Sequence, residues 1–176
     1  MVQKKKNIYL IGMMGTGKSS AGKLAASEMS MNFIDSDQSI EKIAQKSVSE
    51  IFASEGEKSF RDMEKEFIQF GHPRDNSIIS CGGGLCMNEG VFEEMRSRGT
   101  IICLWAEPET IFDRVKNDNT RPLLQVKNPI LQIKNIINAR SRIYQKADFV
   151  IKTDGLKVEE VAGRIIETSS KNKVDN

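Results

Sequence analysis

Apolar residues along the chain fall into two alternating patterns. Short runs rich in β-branched residues, at 8–11, 33–34, 78–79, 101–105 and 149–151, predict five buried strands. Between and after them, apolar positions recur at three-and-four spacing. These are Ile40, Ile43 and Ala44; Val91, Phe92 and Met95; Ile111 and Val115; and Val158, Val161, Ala162, Ile165 and Ile166. Each set predicts a helix with one buried face. Strands joined by helices predict an α/β fold in three layers, α/β/α, with a five-stranded parallel sheet covered on both sides.

No repeat, low-complexity tract or linker divides the pattern, so residues 1–176 read as one domain with its core at 7–170. Residues 117–129 carry no period and predict a loop of unusual length. A mobile lid over about 114–128 is expected there, with Arg114 and Arg121 placed to close on a triphosphate; the plain alternative is a surface connection. Residues 1–6 and 169–176 read as polar, solvated tails.

The first strand runs into Gly12-Met-Met-Gly15-Thr-Gly17-Lys18-Ser19, the spacing of a phosphate-binding loop. Its glycines let backbone N–H groups converge on phosphate oxygens, and the following helix points its positive end at them. Lys18 is then placed to reach the outer phosphates, and Ser19 to offer its hydroxyl to Mg2+.

The second strand ends in Asp35-Ser-Asp37, and ligands of parallel α/β sheets bind at carboxyl ends of strands. The third strand ends in Ser-Cys-Gly, so Asp35 is the natural acid on the Mg2+ side. Asp37 either faces the ligand or caps the next helix. Phe60, Met63, Phe67 and Phe70 share a helical stripe that includes Glu64, and Arg61 is spaced to pair with Glu64. That pair either aims a guanidinium at an anion or is a surface ion pair. Arg140 interrupts an apolar face formed by Ile133, Ile136, Ile137, Ile143 and Tyr144, so it needs a ligand anion or an internal acid. Gly82, Gly83 and Gly84 follow the third strand, where a ligand can approach the backbone and bond to its N–H groups. Together these residues favour a small, polyhydroxylated, anionic acceptor.

Composition narrows the classes further. With 26 basic and 24 acidic side chains the net charge is +2, too balanced for a general nucleic-acid binder. No apolar stretch approaches a membrane span, and a soluble cytoplasmic protein is expected. Cys81, Cys86 and Cys103 form neither a disulfide framework nor a zinc motif and read as free thiols in a reducing compartment. The single His72 lies in Gly-His-Pro-Arg and reads as a surface-loop residue.

The ordered set Gly12–Ser19, Asp35-Ser-Asp37, Phe60-Arg61 with Glu64, Gly82-Gly83-Gly84, Arg121-Pro122-Leu123 and Arg140-x-x-x-Tyr144 resembles shikimate kinase across residues 7–166. The resemblance implies the nucleoside monophosphate kinase-like P-loop fold with strand order 2-3-1-4-5. It implies transfer of the ATP γ-phosphoryl group to the 3-hydroxyl of shikimate, with Mg2+, by a monomer that needs neither nucleic acid nor membrane. By the same resemblance Gly12, Met13, Met14, Gly15, Thr16, Gly17, Lys18, Ser19 and Ser20 would bind ATP, with Arg114 against adenine and Arg121 swinging in with the lid. Asp37 would bind the accepting hydroxyl, and Arg61 and Arg140 the carboxylate. The N–H groups of Gly82, Gly83 and Gly84 would bind a ring hydroxyl. Phe52 and Phe60 would wall the pocket, helices over about 37–70 would carry it, Glu64 would orient Arg61, and Asp35 would reach Mg2+ through water. Lys18, Asp37 and Arg121 are the expected catalytic residues. The segment from Ile151 to Val158 lacks the Arg and Pro of some family versions. A kinase of gluconate or a nucleoside monophosphate, and a non-catalytic ATP-binding module, are the alternatives.

Overall fold

The computed structural model describes residues 5–117 and 126–171. Strands β1 (Asn7–Ile11), β2 (Asn32–Asp35), β3 (Ser77–Ser80), β4 (Gly99–Trp105) and β5 (Phe149–Lys152) form one sheet in the order β2-β3-β1-β4-β5. All neighbouring pairs are parallel. The five apolar runs form five parallel strands, as their helical connections require, but only β1, β3 and β4 are buried as expected; β2 and β5, at the sheet edges, are part-exposed.

Side-chain alternation distributes the core between two faces. Tyr9, Ile11, Ile79, Ile101 and Cys103 pack with α3 (Val48–Phe70) and α4 (Val91–Arg98), through Ile51, Phe67, Ile68, Phe92 and Met95. Ile8, Leu10, Ile78, Ile102, Leu104 and Ile151 pack with α1 (Lys18–Met29) and α7 (Val158–Lys171), through Ala21, Ala25, Ala26, Ala162 and Ile165. A third cluster, with Met13, Ile111, Val115, Ile133 and Ile137, holds α5 (Pro108–Val115) against α6 (Pro129–Tyr144) beside the phosphate loop. The short α2 (Ser36–Ala44) follows β2 directly.

The structure departs from the sequence expectations at several points. α3 contains a non-helical residue at Gly56, with φ 85° and ψ 169°, so the stripe from Phe60 onward starts after a break. The C-terminal tail does not begin at 169: α7 runs through Lys171, where Ser169 bonds to the Ile166 carbonyl and Lys171 pairs with Glu167. At the other end Lys5 is tied down, its carbonyl accepting from the Asn76 N–H at 2.7 Å. His72 is buried rather than on the surface, because its ring packs against Tyr9 and Phe67 and Nδ1 lies 2.8 Å from the Pro73 carbonyl. The expected lid is bounded by α5, which already contains Arg114, and by Asn128, whose side chain caps α6. Its centre, with Arg121, lies outside the described residues.

Asn7 joins the starts of two strands from a fully buried position. Its Oδ1 accepts from the Ser77 N–H at 2.9 Å and its Nδ2 donates to the Pro73 carbonyl at 2.8 Å. Asn7→Ala leaves both backbone groups without these partners, and the expected loss is about 2–4 kcal/mol of stability. Urea unfolding monitored by circular dichroism checks this; an unchanged midpoint and slope would contradict it.

Candidate active site

The loop between β1 and α1 reverses direction tightly. Gly12 has φ +134°, and a Cβ there would collide with the Leu104 carbonyl oxygen; Gly17 (φ 94°) is the left-handed cap of α1. The Thr16 hydroxyl donates to the Met13 carbonyl at 2.8 Å and braces the loop from inside. Lys18 is nearly buried, and its ammonium donates to the Gly12 and Met13 carbonyls at 2.9 Å each. These bonds hold the cation over the concave side of the loop.

At the opposite rim, the Ser19 hydroxyl donates to Asp35 Oδ2 at 2.9 Å and lies 3.1 Å from Ser80 Oγ. Three hard oxygen groups from α1, β2 and β3 thus meet beside the phosphate loop. Among the described residues no group of three or more His, Cys, Asp or Glu side chains is placed to hold a metal. The trio instead suits a divalent cation that keeps several waters and takes its remaining oxygens from phosphates.

Asp35 also caps α2. Its Oδ1 accepts from the Asp37 and Gln38 N–H groups at 3.1 and 3.3 Å. Of the two readings of Asp37, the capping one therefore fails: the cap is Asp35, and the Asp37 carboxylate is left facing the cleft.

Beyond Asp37 lies the glycine triplet, and each glycine faces one charged side chain. A Cβ on Gly82 would collide with the Asp37 carboxylate; one on Gly83 would come within 3.2 Å of Arg140 Nη1, and one on Gly84 within 2.6 Å of Arg61 Nη1. Space, rather than a left-handed backbone, is what the triplet supplies. The expectation of three presented N–H groups needs correction at Gly82, whose N–H donates to the buried Ser36 hydroxyl at 2.8 Å.

Arg61 donates through Nη1 to Glu64 at 2.8 Å, and through Nη2 and Nε to Glu57 at 3.0 and 3.3 Å. That engages three of the five guanidinium N–H bonds and leaves two. Glu64 is buried, so the pair is not a surface ion pair. Arg140 is half-buried rather than buried; its Nη1 donates to the Gly83 carbonyl at 2.6 Å, and no acid pairs with it among the described residues. Phe60 is buried and Phe52 partly exposed, with ring centroids 5.1 Å apart.

A cleft of about 710 Å³ joins these parts, running from Leu156 and Val158 past the phosphate loop to Asp37, Gly82 and Gly83. Arg114 lines its outer end, where it bonds to Thr153 through both the hydroxyl (3.0 Å) and the carbonyl (2.6 Å), and to the Gly15 carbonyl. It is fixed in place and is not part of a loop. Phe52, Phe60, Arg61 and Arg140 lie outside the cleft walls; Arg140 lies against Gly83, which lines the cleft, and Arg61 against the adjoining Gly84. Sequence reasoning did not find Ser36, Glu57, Ser80, Asn88 or Thr153. Only Ser80 had a signal, as a polar residue at a strand's carboxyl end.

The family model described as shikimate kinase matches residues 14–170. The chain belongs to the shikimate kinase family. A shikimate kinase from Thermodesulfovibrio yellowstonii is 46% identical over 92% of this chain and 94% of its own. The shikimate kinase of Acinetobacter baumannii, solved in complex with shikimate, superposes with a TM-score of 0.90 at 31% identity, covering 97% of this chain and 96% of that one. That of Aquifex aeolicus gives 0.83 at 35% identity, covering 97% and 99%.

Within this shikimate kinase fold, Asp37 carries an unusual charge balance. Burial, then the neighbouring Asp35 and Glu64 carboxylates, raise its pKa to about 6, against the opposing pull of Lys18. The folded state consequently holds a proton on Asp37 that the unfolded chain has released, between about pH 4 and pH 6. Stability from this group falls as pH rises through that window. Asp37→Asn should therefore be more stable than the wild type above pH 6, with the gap closing toward pH 4. Thermal unfolding across pH 4–8 measures it, and a gap that is independent of pH would refute the shift.

Proposed function

We propose that this chain transfers the γ-phosphoryl group of ATP to the 3-hydroxyl of shikimate, releasing ADP and shikimate 3-phosphate. Membership of the shikimate kinase family makes it an ATP-dependent kinase. The observation that carries the choice of acceptor is the triplet after β3, where Asp37, Arg140 and Arg61 each lie against one glycine. One carboxylate and two guanidinium groups around a small open floor suit a hydroxylated ring acid.

Phosphoryl transfer is mostly positioning and charge stabilisation, and each part of the site contributes to one or the other. The phosphate loop, residues 12–20, cradles the outer phosphates, and Lys18 exchanges carbonyl partners for phosphate oxygens. Ser19, Asp35 and Ser80 would hold Mg2+. When bound, the ion would supply positive charge to offset that of the phosphates. Arg61 and Arg140 hold the acceptor's carboxylate, and Asp37 accepts the proton of the attacking hydroxyl. A pKa near 6 suits that role, since the group is charged at neutral pH yet basic enough to take a proton. Arg114 supports the adenine side, and Arg121 is assigned to the transferring phosphoryl group. We propose that it acts as a monomer. Three buried free thiols suit a reducing cytoplasm.

An ADP-release assay with shikimate, gluconate and nucleoside monophosphates as acceptors tests the reading. Turnover is expected with shikimate alone; turnover with another acceptor and none with shikimate would overturn it. Lys18→Met should lower kcat on the order of 100-fold or more while the fold stays intact, since it removes a charge aimed at the outer phosphates. Near wild-type turnover in the folded variant would remove Lys18 from the chemistry.

Asp37→Asn separates binding from chemistry. It keeps size and one acceptor oxygen but loses basicity, so shikimate should still bind while kcat falls by roughly 100- to 10,000-fold. Isothermal titration together with single-turnover assays reads both quantities. Full turnover in the Asn variant would leave Asp37 without a catalytic role.

A further inference from the structure

We propose that Asn88 is a positioning residue for acceptor recognition, its amide fixing Glu64 and, through Glu64, the direction of the Arg61 guanidinium. This rests on the reading that Arg61 holds the carboxylate of shikimate. Glu64 is only 1% exposed, and a buried carboxylate must have its lone pairs occupied in good geometry. Its Oε2 takes one bond from Arg61 Nη1, at 2.8 Å, and one from Asn88 Nδ2, at 2.9 Å. The amide must present its nitrogen, because its carbonyl oxygen would repel the carboxylate.

Asn88 is itself held firmly. Its N–H donates to the Leu85 carbonyl and its own carbonyl accepts from Val91, which pins it between the 3-10 helix Leu85–Met87 and α4. Gly84, four residues earlier, is the glycine that faces Arg61. One short segment thus touches the arginine system twice, as a floor under the guanidinium and as a strut behind the acid that aims it. The other acid on Arg61, Glu57, is 66% exposed, so water screens its pull and the buried partner decides the orientation. A neutral donor is needed at position 88, since an acid would set two carboxylates against each other and draw Arg61 off its target.

Steady-state kinetics of the full chain with Asn88→Ala, Asn88→Asp, Arg61→Met and the Glu64→Gln combinations test this, with thermal unfolding alongside. Asn88→Ala should raise the KM for shikimate roughly five- to twentyfold, leaving kcat and the KM for ATP within about twofold. Asn88→Asp, nearly isosteric, should be worse, and it decides the matter should the alanine variant not fold. In a Glu64→Gln background the alanine penalty should shrink to under about twofold. An unchanged KM for shikimate in both Asn88 variants, an aspartate milder than alanine, or full additivity with Glu64→Gln overturns the proposal. A raised KM in Arg61→Met with none in the Asn88 variants sinks the Asn88 role alone. An unaffected Arg61→Met sinks the carboxylate reading of Arg61 and the Asn88 role with it.

Discussion

The closeness of Asp37, Arg61 and Arg140 to the backbone after β3 depends on residues 82–84 having no Cβ. Each of the three side chains occupies volume that a methyl group would take, and at Gly82 and Gly84 the overlap would be severe. Displacing such a group by about 1 Å is enough to misalign an in-line transfer. The triplet is therefore a packing device for charged groups. Its sequence position follows from the fold: β3 lies between β2 and β1, so the chain leaving β3 emerges between Asp35 and Asp37 on one side and the phosphate loop on the other.

Charge is concentrated here and must be balanced. Asp35, Asp37 and Glu64 bring three carboxylates to one edge of the sheet, and burial with mutual repulsion raises the pKa of Asp37. The cations are Lys18, Arg61, Arg140 and Arg114. Lys18 bonds to the Gly12 and Met13 carbonyls, Arg140 to the Gly83 carbonyl, and Arg114 to the Gly15 and Thr153 carbonyls and the Thr153 hydroxyl. Such bonds to neutral oxygens orient a cation without cancelling its charge. An anion entering there meets aligned donors, and little reorganisation is left for the reaction itself.

The five parallel strands were legible from the chain because their signal is local, short apolar runs with helical patterns between them; the strand order came from the resemblance to shikimate kinase. The phosphate loop was legible for a similar reason, its glycines, lysine and serine being contiguous. The pairing of Arg61 with Glu64 came from helical spacing. What escaped were bonds between distant segments. Ser36 anchoring Gly82, Asn88 behind Glu64, and Thr153 holding Arg114 join residues 24 to 46 positions apart and carry no periodic trace. His72 was misjudged because turn composition speaks to backbone conformation, while its burial is decided by Tyr9 and Phe67. Of the glycines, the N–H expectation failed at Gly82, which bonds to Ser36, and the room the triplet leaves for Asp37, Arg140 and Arg61 escaped because it is a property of its neighbours.

Asp35 shows how fold and chemistry share one side chain. As the cap of α2 it satisfies the first N–H groups of that helix and sets where the helix starts. That start places Asp37 in the first turn, close to the positive end of the helix, with its carboxylate turned into the cleft. The other oxygen of Asp35 takes the Ser19 hydroxyl from the first turn of α1, so two helices that begin at the ends of β1 and β2, on either side of β3, are tied together at their N-termini. The same charge then raises the pKa of Asp37 from its other side. Removing it would therefore loosen the α2 cap, free Ser19 and make Asp37 a weaker base, three effects with one electrostatic origin. A residue that caps a helix at a ligand-binding edge cannot be classed as structural or functional, because its position in the fold is what gives the neighbouring acid its chemistry.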